Sequence, residues 1–168
     1  MRRRAAMQAI ALGAGSLAGC IGGGGKVVTT VQRTVSVEPG QGWVKKIPDV
    51  SDPGGALQYT AKASQAFDVY FFTSEESYMY YDTYVDGGKP ALTPSGDDAI
   101  GTTAERLGKD AYQAATPDGG AREQVEESGP YFFVVDHSDY RDGAAPGEEP
   151  SPLSAFVDLT VTKHRFGL

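Results

Sequence analysis

The chain has 168 residues, with one Cys, two His, one Trp, 22 Gly and a formal net charge of −7 from 15 basic and 22 acidic side chains. That length bounds the protein at one domain, able to bury a core without disulfides, and a single Cys excludes Cys-x-x-Cys redox chemistry, Cys-rich zinc sites and iron–sulfur clusters. Two His leave little for a histidine-built metal centre, and the acidic balance argues against nucleic acid as a partner.

The chain opens with Arg2, Arg3 and Arg4, continues without charge from Ala5 to Ala18, and reaches small residues just before Cys20. A basic start, a short apolar middle and a small-residue end form a signal-peptide layout. The uncharged stretch is 14 residues long, short of the ~18 needed for a permanent membrane span. Gln8, Gly13, Gly15 and Ser16 interrupt it as well, so residues 1–19 are expected to be removed. Leu17, Ala18, Gly19 and Cys20 resemble a lipobox, the motif at which secreted lipoproteins of bacteria and some archaea carry a lipid on the Cys. The resemblance implies lipidation of Cys20, the only soft nucleophile in the chain, and an anchor on the outer face of the cell membrane. Arg3 and Arg4 are similar to the pair of a twin-arginine export signal, although Ala6 and Met7 stand where bulky apolar residues are usual. Loss of residues 1–19 would leave 12 basic against 22 acidic residues, a net charge of −10. Together with the lipobox and the Gly-rich signal, this composition resembles haloarchaeal surface lipoproteins, in which excess carboxylates keep a protein soluble in concentrated salt.

Residues 20–26 read as a Gly-rich tether, because Gly22 to Gly25 would lose the most backbone entropy in any regular element. A folded domain is expected over 27–168. Lys26 to Val37 alternates Val27, Val31, Val35 and Val37 against Thr30, Gln32, Thr34 and Ser36, a strand pattern. A turn at Glu38 to Gly42 leads to a strand at Trp43 to Ile47. Leu57, Tyr59, Ala61 and Ala63 alternate in a further strand, and Phe67 to Phe72 makes its antiparallel successor with both faces partly covered. Asp82 to Asp98 reads as turns, rich in Gly and Pro. Thr103 to Ala115 suggests a poorly patterned helix. Tyr131 to Asp136, entered through Gly129-Pro130, reads as a central strand, and Arg141 to Pro152 as a loop. Leu153 to His164 closes the fold with Leu153, Ala155, Val157, Leu159 and Val161 on one face.

Many short strands with Gly/Pro turns and little helix predict an all-β fold, an antiparallel β-sandwich of jelly-roll or Ig-like form. The pairing of FDVYFFTSEE with GPYFFVVDHSDY and a terminal alternating strand is similar to small sandwich domains of secreted proteins, the bacterial pre-peptidase C-terminal domain and Golgi-dynamics-like domains. Such domains act as accessory, binding or spacing modules, and that is the role the resemblance implies. Asp136-His137 stands where those domains usually have Asp-Asn.

Asp136, His137 and Ser138 are the residue types of a hydrolase triad, but strand neighbours point to opposite faces and no Gly-x-Ser-x-Gly elbow exists. Catalysis is not expected, and no catalytic residue is assigned. Asp136, Asp139 and Asp142 are weak candidate oxygen ligands for Ca²⁺, with Asp97 and Asp98 as further contributors. Tyr140 falls where a calcium-binding loop needs an oxygen ligand, so solvated carboxylates are the default and no cofactor is expected. Tyr78, Tyr80, Tyr81 and Tyr84 lie within seven positions, and an exposed row of such rings can stack on a glycan or anchor a protein. The alternative is that they fill core and loop. Trp43 is expected to plug one end of the sandwich, and His164 to be inert. A copper electron-transfer site would need a Cys thiolate in the fold, which lipidation of Cys20 would remove. The sequence therefore points to a non-enzymatic, lipid-anchored, extracytoplasmic binding or spacer module, with the membrane as one partner and an envelope protein or glycan as another. The alternatives are a small substrate-capture lipoprotein of a transporter and an accessory domain of a secreted hydrolase.

Overall fold

The computed structural model describes residues 25–93, 99–117, 123–141 and 151–165. Its elements in chain order are β1 (Gly25–Val37), β2 (Gly42–Ile47), β3 (Gly55–Ala63), β4 (Asp68–Phe72), α1 (Glu75–Val85), β5 (Ala99–Thr103), β6 (Glu105–Gly108), β7 (Ala111–Ala115), β8 (Glu123–Val125), β9 (Tyr131–Asp136) and β10 (Leu153–His164). They form two antiparallel sheets, packed as a sandwich. A six-stranded sheet has the order β1-β10-β3-β7-β6, with β8 sharing the β7 side of β3, and a four-stranded sheet has the order β2-β9-β4-β5.

The two long strands β1 and β10 run antiparallel from Gly25 opposite His164 to Val37 opposite Leu153, with one irregularity between Val27 and Thr29. Their alternation is the cause of their placement. Val31, Val35, Val37, Leu153, Ala155, Val157, Leu159 and Val161 are buried between the sheets, while Gln32, Thr34, Ser36, Ser154 and Phe156 face out and are exposed. The four-stranded sheet contributes Phe71, Tyr131, Phe133 and Val135 to the same core. At about 1.5–3 kcal/mol for each large side chain taken out of water, this layer dominates the stability of the fold.

Two sequence expectations are corrected. The strands β3 and β4 are adjacent in the chain but lie in different sheets, because β3 pairs with β10 on one side and with β7 and β8 on the other. Residues 103–115 are not a helix. Tyr112 to Ala115 of β7 pairs in register with Ala63 to Thr60, and Ala114 is buried against the inter-sheet core, so pairing to an available sheet edge overrides the helical preference of an Ala-rich segment. The helix lies instead at Glu75–Val85, and its last four residues, 82–85, fall in the stretch expected as turns. No helix of the described residues is long and apolar enough to cross a membrane.

Candidate functional site

The central strands β4 and β9 of the four-stranded sheet have both faces covered, and the outer face holds the polar chemistry. Register places its outward-facing side chains in three rows. Lys46, Phe132 and Phe72 form the first, and Val44, Val134, Tyr70 and Gly101 the second. The third is Gly42, Asp136, Asp68 and Thr103, so the carboxylates of β4 and β9 are direct cross-strand neighbours. Both Asp residues are 0 % exposed.

Helix α1 forms the lid over these rows. It starts where Ser74, in extended conformation, accepts the Ser77 amide on its hydroxyl at 3.1 Å, and Glu75 and Glu76 place negative charge in the first turn. It stops at Asp86, where Gly87 takes φ +83° and the amides of Gly87 and Gly88 return to the carbonyls of Tyr84 and Thr83 at 2.9 and 2.8 Å. This double return satisfies carbonyls left open at a helix end, and the left-handed Gly87 permits it. On the solvent side, Tyr80 donates to Glu76 at 2.7 Å and Tyr78 to Asp82 at 3.1 Å, both one turn apart.

The inward side of α1 meets the sheet through aromatic rings. Tyr78 stacks on Phe132 with centroids 4.1 Å apart and planes 4° from parallel. Tyr140 is buried edge-on to Tyr70, Tyr81 and Tyr84. Tyr81, also buried, donates its hydroxyl to Asp136 at 2.6 Å. Asp136 further accepts the Ser138 amide at 3.2 Å and the Ser138 hydroxyl at 3.0 Å, so a helix, a strand and the following loop are fastened to one carboxylate. Gly42 is required for this contact. A Cβ built there would run into the Tyr81 hydroxyl and lie 2.9 Å from its ring carbon Cζ.

Burial raises the pKa of Asp136 to about 6, and the neighbouring Asp68 charge adds to the rise, against the lowering effect of the Tyr81 and Ser138 hydrogen bonds. Burial also raises the pKa of Asp68, opposed by Thr103, Arg141 and Tyr70. Tyr70 donates to one Asp68 oxygen at 3.4 Å, and the other oxygen has no hydrogen-bond partner among the described residues. Arg141 passes over β5, where a Cβ on Gly101 would lie 2.6 Å from the end of its guanidinium, so a side chain there would displace Arg141. Burial, with the Asp136 charge second, holds Tyr81 far above the ordinary tyrosine range, so it acts as a hydrogen-bond donor and not as a base. Enclosed by Tyr70, Tyr81 and Tyr140, the two carboxylates form a fastening between helix and sheet.

The remaining sequence candidates separate. Tyr81 is a core residue, whereas Tyr78, Tyr80 and Tyr84 are partly exposed along α1, and Tyr84 donates to the exposed Asp139 carboxylate at 2.6 Å. His137 is buried and presents Nε2 to the Ser151 carbonyl at 3.0 Å, while Ser138 faces Asp136. Asp136, His137 and Ser138 thus do not converge as a triad. Among the described residues no three of His, Cys, Asp and Glu gather as a metal site. Asp142, Asp97, Asp98, Arg3, Arg4 and the lipobox Leu17, Ala18, Gly19 and Cys20 lie outside the described residues. Sequence reasoning missed Asp68, Tyr70, Tyr140, Arg141, Gly42 and Gly101. A signal for the first was present, since FDVYFF and YFFVVD each hold one Asp in phase with the outward-facing aromatic residues. Compared with family models, curated proteins and solved structures, the chain finds no match in any of the three.

Proposed function

We propose that the chain is a lipid-anchored, extracytoplasmic β-sandwich that serves as a non-enzymatic binding or spacer module of the cell envelope. One observation carries the reading: Leu17-Ala18-Gly19-Cys20, the chain's only thiol, stands five residues before the first strand begins at Gly25. Five residues reach about 18 Å at full extension, so a lipid on Cys20 would hold the sandwich against the membrane surface. The net charge of −10 after Cys20 fits a domain that stays soluble outside the cell. The enclosure of Asp68 and Asp136 supports a non-catalytic role, because a general acid or base must come within hydrogen-bond reach of a substrate.

The test compares the natively expressed protein with Cys20→Ser by intact mass and membrane partitioning. The expected mass corresponds to cleavage before Cys20 plus lipid, with the wild type in the membrane fraction and the variant released. An unmodified Cys20, or equal partitioning of both proteins, sinks the anchor. Turnover on a panel of glycoside, peptide and ester substrates sinks the non-enzymatic part separately.

A further inference from the structure

The sandwich has an open side where the edge strands of both sheets lie together. Among the described residues β1 pairs only with β10, and β2 only with β9. A groove of about 270 Å³ runs there, lined by Thr30, Val31, Gln32 and Arg33 of β1 and by Trp43 and Lys45 of β2. Side chains alternate between faces along a strand, so four consecutive residues line one groove only if it follows the strand's edge. The unpaired main chain of β1 is therefore part of its wall.

The charges in this groove are unusual for the molecule. Arg33 lies in phase with the buried Val31 and Val35, and Lys45 in phase with Trp43 and the buried Ile47, yet Arg33 is exposed and Lys45 half-buried, so both cations sit at inward positions of the open rim, within reach of solvent. The Arg33 guanidinium rests 5.6 Å from the centre of the Trp43 ring, and none of the six lining residues is acidic. In a chain with 22 carboxylates, two cations and no acid flank the seam where the free edges of β1 and β2 lie together. Inward charges on an edge strand deter pairing with a neutral strand from another chain. They do not deter a strand that carries carboxylates, and a barrier with one sign of charge is a device for selecting partners.

We infer that this groove is a docking site for an extended acidic polypeptide segment, which adds as a strand to the free edge of β1 and presents carboxylates to Arg33 and Lys45. Main-chain hydrogen bonds supply affinity in such strand addition, and side-chain positions supply selection. The inference rests on the reading of the domain as a binding module but not on its anchor. A second copy of the chain is a poor occupant, because β1 itself carries Lys26 and Arg33 and no acid.

Trp43 is the only Trp, so its fluorescence reports on this groove alone. The probes are three nine-residue peptides of alternating Thr and a variable residue, Glu, Gln or Lys, titrated into full-length Cys20→Ser protein. Hydrogen exchange of the β1 amides is followed in parallel. The Glu peptide is expected to shift Trp43 emission, to slow exchange at residues 30–33 and to bind about tenfold more tightly than the Gln peptide. Raising salt from about 0.1 M to about 1 M should erase most of that preference. Arg33→Glu with Lys45→Glu is expected to reverse the order of the Glu and Lys peptides, and Arg33→Gln with Lys45→Gln to level it. The second variant decides if the first fails to fold. Equal binding of all three peptides overturns the inference. So does protection at 30–33 that depends on protein concentration without peptide, which assigns the edge to a second copy. A Trp43 response to polygalacturonate but to no peptide overturns it as well, assigning the groove to an anionic glycan. A failed anchor with a Glu-selective groove would leave this inference standing alone.

Discussion

The two faces of the four-stranded sheet differ in what they bury. Between the sheets the core is built from Val, Leu, Phe, Ala and two Tyr at strand periodicity. Beneath α1 the buried layer is five aromatic rings and Val134, beside Asp68 and Asp136. The inner layer is non-directional, held by the area it removes from water. The outer layer depends on direction, since a buried carboxylate is tolerable only while its donors stay in place. The fold thus has one core that tolerates repacking and one that depends on named atoms.

The sharpest way to break this contrast is from the inside. Phe133→Ala should cost about 3–5 kcal/mol and lower the whole unfolding transition, with β1, β9 and β10 losing hydrogen-exchange protection together. Loss confined to α1 would show that the inner layer does not govern global stability.

The outer layer should respond to pH. The native state holds the Asp136 proton up to about 6, whereas the unperturbed group releases it near 3.8. Between those values the native state binds the extra proton, so this contribution is complete below the lower value and is lost as pH rises through the upper one. Two units correspond to about 3 kcal/mol at most. Asp136→Asn should flatten that part of the profile, read as the difference between mutant and wild-type melting temperatures from about pH 4 to 8. Parallel profiles would refute the buried-carboxylate account.

Tyr81→Phe should cost about 2 kcal/mol by leaving Asp136 short of a donor. Gly42→Ala should also destabilise, but less in the Tyr81→Phe background, where the hydroxyl that collides with the new Cβ is gone. Additive effects in the double-mutant cycle would mean that Gly42 does not make room for Tyr81. Ser74→Ala, the mildest change, removes the helix cap for about 1 kcal/mol. It should raise exchange at the first turn of α1 while the inter-sheet core stays protected.

The legibility of the sequence follows the same division. In β1, β3 and β10 one face meets the core and the other meets water, so period-two alternation shows directly in the residues. In α1 the run Tyr78-Met79-Tyr80-Tyr81 shows no apolar stripe, because its rings are amphipathic and only Ser77 and Tyr81 are buried. Its punctuation was nonetheless present. Gly87-Gly88 reads as turn chemistry in the sequence, and it is the stop signal of a helix that Ser74-Glu75-Glu76 opens. Of the candidate site, Asp136 and the tyrosines were legible as unusual composition. Asp68 shows its phase with Tyr70 and Phe72 in the sequence, but only strand register sets it beside Asp136. Gly42 and Gly101 reveal their roles only through what a side chain there would strike.

The pairing of β1 with β10 also fixes how the molecule would carry a pull. Gly25 lies opposite His164, so force applied between the two ends of the sandwich would peel these strands apart from that pair onward, one rung at a time. Force applied between the N-terminal end of β1 and a segment added to its free edge would instead drag that segment lengthwise along β1. Its hydrogen bonds run perpendicular to the strands and would bear such a load together. The same protein would yield readily to one kind of tension and resist the other.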